Sequence, residues 1–581
     1  MEKLIIYQLF PRIFTNTNEH CEKWGSLEKN GSGKFNDYTP HLLASIKELG
    51  VNCLWFTGVI EHATKTDFTA YGIERDNPNV VKGEAGSPYA IKDYYDVNPA
   101  LAENVENRIE EFQQLVDRVH DAGMKVIIDF VPNHTARRYH SDKAPAGIDD
   151  FGTGDDINMN FSPANNYYYI SNQQFYPDFS LDAEGSEPYI EFPAKATGND
   201  CFTAFCGVND WYETVKLNYG HDYNDNSDHF DPVPDTWIKM LHILRYWAGM
   251  GIDGFRCDMV FMVPLPFWHW AIPQVKANFP DIIFIGEIYD VGSYRPFLEY
   301  GCFDYLYDKV NLYDTLVGIE RSGWSAAQLT GCWQTVDGIG DAMLNFLENH
   351  DEVRFASPAY AGDAMRVIPS LVVSAMISKG PFLIYYGQEL GEKGIDDEGF
   401  AGNNNRTSIF DYWSIDTVRR WYNEGKCDYS RLTAHEKWLR ELYKKVLTLC
   451  NTRKSICEGE FFDLMYVNLR QEGFNPHSNF AFLRYKGDDI LLIVVNFDAE
   501  GKYLNINVPE LAFRMAEIEE GERTATDLLW GKTQHFSFNS QEPVRLYIGG
   551  ADALVLPIER KRERKIEKKE IKKIVKKRKD K

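Results

Sequence analysis

The feature that most limits the fold of this chain is an alternation of short apolar runs with longer amphipathic segments. Segments of helical period, for example 105–122, 234–248 and 365–379, lie between several of these runs. The runs are rich in β-branched and aromatic residues and predict eight strands, at 4–10, 51–57, 125–131, 252–257, 282–286, 303–306, 342–347 and 382–386. Repeated strand–helix units of this kind indicate an α/β fold in which parallel strands close into a (β/α)8 TIM barrel.

The alternation is interrupted after the third strand and again near residue 455. A loop of about a hundred residues inside a compact domain is unusual, so the Asn-, Asp- and Tyr-rich stretch is interpreted as an inserted subdomain. Short runs separated by turns then predict a C-terminal antiparallel β domain, with strands at 480–485, 490–497, 503–508, 535–540 and 553–558. The expected organisation is a catalytic barrel over 1–133 and 232–454, an inserted domain over 134–231, a C-terminal β-sandwich over 455–558, and a basic tail, disordered or helical, over 559–581.

Charge and cysteine content limit the partners and the compartment. The chain has 86 Asp and Glu against 62 Lys and Arg, a net charge of −24, which argues against nucleic acid as a partner because phosphate binding needs a cationic surface. The tail alone carries 14 Lys and Arg against 5 Asp and Glu, and we interpret it as a solvated appendage. Ten cysteines without a CxxC pair indicate reduced thiols and a cytoplasmic location. No long apolar stretch predicts a membrane span.

Polar side chains follow several of the predicted strands, at the end where the reacting groups of parallel barrels gather. They are Asp129, Asn133 and His134 in DFVPNH, Arg256 and Asp258 in GFRCD, Glu287 in GEIYD, and His350 and Asp351 in FLENHD. Carboxylates from three different strands, with an arginine and two histidines, form a constellation that single capping or ion-pairing roles do not explain. We therefore expect these residues to form the active site.

The residue types point to glycoside hydrolysis, in which one carboxylate is ionised and nucleophilic while another is protonated. Arg256 precedes Asp258 by two residues, so both side chains lie on one side of the strand. The positive charge of Arg256 is expected to keep Asp258 ionised. Rival chemistries lack their motifs, because the sequence contains no GxSxG, no GxxxxGK[ST] and no HExxH.

These regions resemble those of the α-amylase family of glycoside hydrolases (family 13). The four short regions of the family are matched in order by DFVPNH, GIDGFRCD, GEIYD and FLENHD. Supporting stretches such as IYQLFPRIF at 6–14 and GPFLIYYGQEL at 380–390 also resemble the family. The resemblance covers roughly residues 4–415, with the β domain following in the expected place.

The resemblance implies a role for each matched residue. Asp258 would be the nucleophile, Glu287 the general acid and later the base, and Asp351 would bind hydroxyls of the distorted sugar. The substrate-binding residues that it implies are Arg256, which would orient Asp258, together with His134, His350, Tyr89 and Asp93. The implied mechanism is retaining and passes through a covalent glycosyl-enzyme, with the carboxyl groups of Asp258 and Glu287 about 5–5.5 Å apart.

The resemblance also implies a substrate class: α-glucans or malto-oligosaccharides, cleaved mainly at α-1,4 bonds without a cofactor. Many α-amylases carry Lys-His shortly after the nucleophile, and here the apolar stretch MVFMVP stands in that place. A structural calcium ion is left open but is not supported by the motifs, so no metal ligand is predicted. The alternatives are an exo-acting α-glucosidase or oligo-1,6-glucosidase, an α-glucan transglycosylase, and a non-catalytic glucan-binding relative. The oligomeric state is not predicted.

Overall fold

The barrel is the organising element of the fold, and a computed structural model describes residues 2–182 and 185–558 of the chain. Eight parallel strands pair in chain order, and the last pairs with the first, with Ile5 opposite Phe382. Strands β1–β8 span Ile5–Leu9, Cys53–Phe56, Lys125–Phe130, Gly254–Cys257, Ile283–Gly286, Tyr305–Tyr307, Met343–Phe346 and Phe382–Tyr385. Each overlaps one of the predicted runs, so the predicted barrel is confirmed.

A helix follows each strand in turn, as the βαβ pattern requires. Helices α1–α8 span Pro40–Lys47, Arg108–Asp121, Asp235–Gly249, Leu265–Lys276, Tyr294–Glu299, Asp314–Ser322, Val367–Met376 and Ala434–Thr452. Shorter helices are Pro11–Phe14, Leu27–Asn30, Gln328–Thr335, Asp416–Tyr422, Lys454–Cys457, Met465–Asn468 and Glu510–Met515. None of the helices in the described part of the chain has the length and apolar character that crossing a membrane requires.

The sequence of α2 shows why these segments become helices packed on the barrel. Its buried residues include Phe112, Leu115, Val116 and Val119, a spacing of three and four that forms one apolar stripe. Thr433 caps the N-terminus of helix α8. Its side chain accepts a hydrogen bond from the backbone N–H of Glu436, three residues later, in a capping box. Helix α2 thus buries one face against the strands and leaves the other to solvent, whereas α7 is buried all round.

The segment between β3 and α3 is the predicted insertion, built from short strand pairs and turns. The pairs are His134–Ala136 with Thr214–Lys216, Tyr169–Ile170 with Ala194–Lys195, and His221–Asp222 with Ser227–Asp228. It has a small apolar core that includes Phe175, Tyr189 and Tyr212. Another hairpin, Ile60–His62 with Ile91–Val97, follows β2. Both excursions leave the barrel at the carboxyl ends of its strands, which is where a site would lie.

The C-terminal region is antiparallel β structure, as predicted. One four-stranded sheet contains Glu460–Asp463, Asn479–Lys486, Asp489–Asn496 and Asp552–Pro557. Two further pairs are Lys502–Ile506 with Val544–Ile548, and Gly521–Thr526 with Thr533–Phe538. The sequence prediction missed three of these strands, because Glu460–Asp463, Gly521–Thr526 and Val544–Ile548 carry charged side chains among their apolar ones. The exact boundaries of the three domains stay a prediction, and the basic tail over 559–581 lies outside the described residues.

Candidate active site

The carboxyl ends of neighbouring strands bring the predicted carboxylates to one end of the barrel. Asp258 directly follows β4, and its N–H donates to the carbonyl of Phe130 in β3 at 2.9 Å. Glu287 directly follows β5, and its N–H donates to the carbonyl of Cys257 in β4 at 3.0 Å. These bonds continue the hydrogen-bond pattern of the parallel sheet one residue past each strand. The backbone of both carboxylate residues is therefore held by the sheet.

Arg256, in β4, is the cation that connects the carboxylates. Its Nη1 donates to Oδ1 of Asp258 at 2.7 Å, and its Nη2 lies 2.8 Å from Oε1 of Glu287, an ion pair outside hydrogen-bond alignment. Oδ2 of Asp351 lies 3.9 Å from the same Nη2. The Arg256 side chain is 1% exposed, and its Nε donates to the Tyr307 hydroxyl at 3.2 Å. Oδ1 of Asp129 lies 3.4 Å from Nη1, so one buried guanidinium faces four carboxylates.

Two residues that the sequence prediction missed hold Glu287 in place. The Tyr289 hydroxyl donates to Oε1 of Glu287 at 2.5 Å, and the N–H of Met259 donates to Oε2 at 2.9 Å. Met259 has a φ of +44°, a left-handed conformation that is strained for a residue with a side chain. This turn aims its N–H at the Glu287 carboxylate. The period of two in GEIYD places Tyr289 beside Glu287 and could have identified it.

The prediction that Arg256 keeps Asp258 ionised needs correction for the protein without substrate. Burial and the negative charge of Glu287 raise the pKa of Asp258 well above its usual range, and Arg256 opposes them. The guanidinium is shared with Glu287, so its charge is not concentrated on Asp258. Two neighbouring carboxylates disfavour each other's ionisation, so Asp258 takes up a proton more readily than an isolated aspartate does.

Tyr89, His350 and Asp351 form a second group at the same end of the barrel. The rings of Tyr89 and His350 stack with their centroids 5.3 Å apart, and the Tyr89 hydroxyl lies 2.5 Å from Nε2 of His350. Oδ2 of Asp351 lies 3.0 Å from that same nitrogen. Although burial opposes the effect, His350 and then Arg256 hold the pKa of Asp351 below its usual range. Asp351 is therefore ionised, and with a side chain 39% exposed it can reach a ligand.

His134 lies on the opposite wall, where the insertion begins. Its ring packs against Trp211 with centroids 5.3 Å apart, and Nδ2 of Asn133 lies 3.1 Å from its Nδ1. Burial and then the charge of Lys216 lower the pKa of His134 to about 3. The imidazole is therefore neutral at ordinary pH, so it can hydrogen-bond a sugar but adds no positive charge.

These groups surround a cavity of about 310 Å³, within the range of small-molecule sites. The residues that line it are Lys82, Ser87, Tyr89, His134, Trp211, Glu213, Thr214, Asp258, Met259, Glu287, Tyr289, Asp351, Ile409 and Phe410. A second cavity of equal volume lies between the barrel and the C-terminal sheet, lined by Trp333 and Arg484 among others. The first is the candidate site because the three carboxylates open into it.

Asp93 does not belong to this site, which corrects the prediction that it binds substrate. It is buried in the hairpin strand Ile91–Val97, where its Oδ1 accepts from the N–H of Tyr95 at 2.7 Å. Its Oδ2 accepts from the N–H groups of Asp142 and Lys143 at 3.0 and 3.3 Å. Tyr89 precedes the strand and lines the cavity, whereas Asp93 lies inside the strand and binds the start of the insertion. The sequence did not reveal where the hairpin folds.

Asn133, in the first of the four family regions, does not suit a metal ion in this chain. Oδ1 of Asn133 accepts a hydrogen bond from Nζ of Lys216 at 2.8 Å. Lys216 also pairs with Asp200 at 2.6 Å and is 2% exposed. A buried ammonium group thus takes the amide oxygen that would ligate a cation, so we assign no metal to Asn133.

Comparisons with known proteins agree with this geometry. The model of the α-amylase catalytic domain matches residues 8–456. A cyclomaltodextrinase from a Bacillus species is 25% identical over 524 residues, 86% of this chain and 74% of that protein. Neopullulanase 2 from Thermoactinomyces vulgaris is 24% identical over 554 residues, 92% of this chain and 74% of that protein.

A solved structure extends the likeness to the whole described fold. The crystal structure of a noncanonic maltogenic α-amylase from Thermotoga neapolitana aligns with a TM-score of 0.59 and 20% identity, covering 96% of this chain and 98% of that chain. The domain match spans both the barrel and its insertion, including every strand end that carries a candidate carboxylate. The chain belongs to the α-amylase family, glycoside hydrolase family 13, and is an α-glucan hydrolase.

Proposed function

We propose that the chain hydrolyses α-glucosidic bonds, mainly α-1,4, in malto-oligosaccharides or starch-derived glucans, with Asp258 as nucleophile and Glu287 as general acid and base. The observation that carries the proposal is the shared contact of Arg256 with both carboxylates at the cavity. With both carboxylates on one guanidinium, Asp258 can act as nucleophile while Glu287 changes from acid to base without a large movement. Asp351 is placed to bind sugar hydroxyls.

The proposed reaction has two displacements. An oxygen of Asp258 attacks the anomeric carbon, the bond from that carbon to the glycosidic oxygen breaks, and the proton of Glu287 goes to the leaving oxygen. In the second step Glu287 takes a proton from water, the water oxygen bonds to the anomeric carbon, and the bond to Asp258 breaks. The sugar leaves with its original anomeric configuration, and both carboxyl groups are restored.

The raised pKa of Asp258 bears on how the substrate starts the reaction. In the protein without substrate, burial and Glu287 raise the pKa of Asp258. A bound glycosidic oxygen beside Glu287 would accept a hydrogen bond from the protonated acid, which favours a proton on Glu287 over one on Asp258. Arg256, 2.7 Å from Asp258, then stabilises the carboxylate that remains.

The other cavity residues are proposed to bind the sugar itself. Neutral His134 and the stacked pair of Tyr89 and His350 offer polar atoms and a flat ring to a pyranose. Trp211 adds an aromatic face next to His134. Asp351, ionised and partly exposed, would accept hydrogen bonds from two hydroxyls of a distorted ring.

A specific surface feature favours transglycosylation as the second candidate function. Phe261 is 41% exposed, and the centroid of its ring lies 6.3 Å from that of Tyr289. Tyr289 in turn hydrogen-bonds Glu287. An aromatic surface next to the acid can hold an acceptor sugar against the glycosyl-enzyme, so that a sugar hydroxyl competes with water. Exo-action by an α-glucosidase or oligo-1,6-glucosidase stays open.

Product analysis tests these proposals. Maltoheptaose and an α-1,6-linked oligosaccharide would be digested separately, with the anomer of the new reducing end followed by NMR. Mixed short oligomers released as the α anomer are expected, while glucose alone indicates exo-action and products longer than the substrate indicate transfer. A β-anomeric product would contradict the roles of Asp258 and Glu287.

No cofactor is needed for the chemistry of this family. We propose the cytoplasm as the location, on the ground that the ten cysteines are all unpaired in the described part of the chain. Fractionation of the source cells with an antibody to the protein would test this, and recovery from the medium would contradict it.

A further inference from the structure

Four carboxylates meet behind the active site, where the hairpin after β2 touches the start of the insertion. Glu61 lies in the strand Ile60–His62, Asp93 and Asp96 lie in the paired strand Ile91–Val97, and Asp142 comes from the insertion. One oxygen of each lies within 4.8 Å of one oxygen of all the others. Residues 81 positions apart in the sequence thus place their acidic groups around one point.

The neighbouring cations do not balance this negative charge. Arg108 contacts both oxygens of Asp96, and its Nη2 lies 3.5 Å from Asp142. Lys92 is 4.0 Å from Glu61, but it lies closer to Asp76, at 3.3 Å, and is therefore shared. Lys143 lies 3.7 Å from Asp142, the exposed member of the group. Four carboxylates with one arginine, part of one lysine and Lys143 at the exposed edge still leave an excess of negative charge.

Glu61 is the residue that most needs a partner. It is 2% exposed, and its Oε2 has no hydrogen-bond partner among the described residues. A buried carboxylate without a partner is costly, since its hydration is lost and nothing replaces it. One oxygen of Glu61 lies within 4.8 Å of an oxygen of each of the other three carboxylates, so a ligand at the centre of the group would satisfy it.

We propose that Glu61, Asp93, Asp96 and Asp142 bind a divalent cation of the calcium class. Calcium takes oxygen ligands at about 2.3–2.6 Å, so two ligands on opposite sides lie about 4.6–5.2 Å apart, which the 4.8 Å spacing accommodates. Asp93 is held in advance by backbone N–H groups at 2.7, 3.0 and 3.3 Å, and its Oδ1, which accepts only one of them, keeps a further lone pair for the metal. The inference goes beyond the proposed function and does not depend on it.

The cation would connect two excursions of the barrel. Asp142 belongs to the insertion that begins at the strand His134–Ala136, and Glu61 to the hairpin that ends near Tyr89. Calcium between them would fix the insertion to the barrel beside the cavity. Because the ion binds only the folded chain, it raises stability by mass action.

Calcium binding by the full chain tests the proposal. After treatment with EGTA and removal of the chelator, the wild-type protein is dialysed against calcium chloride, and bound calcium is measured by atomic spectroscopy. Calorimetric titration and thermal unfolding are measured on the same samples. About one calcium per chain and a rise in Tm of several degrees are expected.

Variants locate the ion. Glu61→Gln and Asp142→Asn are expected to weaken calcium binding at least tenfold and to lose the rise in Tm. Glu320→Gln, a buried carboxylate paired with Arg366 far along the chain, serves as the matched control and should bind calcium like the wild type. Asp142 is partly exposed, so its variant keeps the test valid if Glu61→Gln does not fold.

Two results would overturn the proposal. Wild-type protein that binds no calcium and keeps its Tm would mean that a proton, not a metal, neutralises Glu61. Wild-type affinity in both Glu61→Gln and Asp142→Asn would place any bound calcium elsewhere. Neither result would affect the hydrolytic proposal, because the readouts are calcium content and Tm.

Discussion

Two clusters of carboxylates in this molecule each surround one buried arginine. Asp258 and Glu287 around Arg256 form the open group, and Glu61, Asp93, Asp96 and Asp142 around Arg108 form the closed group. Arg256 contacts Asp258 and Glu287 at a cavity about 310 Å³ in volume, whereas Arg108 pairs with Asp96 beneath the insertion. In the open group Arg256 contacts both Asp258 and Glu287, and both carboxylates line the cavity, so a substrate can reach them. In the closed group the cationic charge falls short, and we infer that a metal ion supplies the rest. The same residue types therefore serve catalysis where a substrate can reach them and structural stability where it cannot.

The largest expected effect separates the open group from the rest of the protein. Asp258→Asn and Glu287→Gln should each lower kcat on maltoheptaose by at least about 10³-fold, because an amide neither forms the glycosyl-enzyme nor delivers a proton. Their Tm and calcium content should stay near the wild-type values. Glu320→Gln is the control and should keep kcat within about twofold. Near-normal activity in Asp258→Asn would remove the open group from catalysis.

Exchanging each arginine for lysine compares the two groups directly. Arg256→Lys should lower kcat by about 100-fold, since one ammonium cannot reach both Asp258 and Glu287 as a planar fork does. Arg108→Lys should instead lower Tm by several degrees and leave kcat near the wild-type value. Steady-state kinetics and thermal unfolding of both variants provide the measurement. Equal losses of kcat in the two variants would abolish the distinction drawn between the groups.

The pH dependence of stability tests whether the open group has a second cation. The pKa of His134 is lowered to about 3, below the value near 6.5 expected in the unfolded chain. The unfolded chain therefore binds a proton below pH 6.5 that the folded chain refuses, and this contribution to stability is lost as pH falls from 6.5 towards 3. Between pH 6.5 and 4.5 the loss from one such residue is about 2 kcal/mol.

His134→Gln should escape that loss. Urea unfolding at pH 4.5 and 7.5 should show a smaller acid destabilisation in the variant than in the wild type. His20→Gln, at an exposed position, is the matched control and should behave like the wild type. If His134→Gln and the wild type lose stability equally in acid, His134 is charged in the folded protein. It would then add a positive charge to the cavity beside that of Arg256.

The smallest expected effect concerns the positioning of Glu287. Tyr289→Phe removes the hydroxyl that donates to Oε1 at 2.5 Å and should lower kcat by about tenfold, the value of one charge-assisted hydrogen bond. KM should change less than kcat, since the hydroxyl acts on the acid more than on bound sugar. Tyr300→Phe, at an exposed site, is the control. An equal loss in KM and none in kcat would assign Tyr289 to substrate binding instead.

The strand ends were predictable because their physics is local. Runs such as 252–257 and 282–286 are each followed directly by a carboxylate, and parallel barrels collect the residues that follow their strands at one end. The close approach of Asp258, Glu287 and Asp351 to Arg256 followed from that rule. The three missed C-terminal strands carry charged side chains on their exposed face, which weakens the apolar pattern that identifies a strand.

What the sequence by itself determined is the barrel, the insertion, the antiparallel C-terminal region and the family, because apolar period and short motifs are local properties. Only the tertiary structure decided which carboxylates share a guanidinium and which are closed off. Asp93, predicted to bind sugar, lies with Glu61 and Asp142 in the closed group, and Tyr289 joins the open one. The pKa of Asp258 likewise depends on burial and on Glu287 across the barrel, and distances of that kind exist only after the chain has folded.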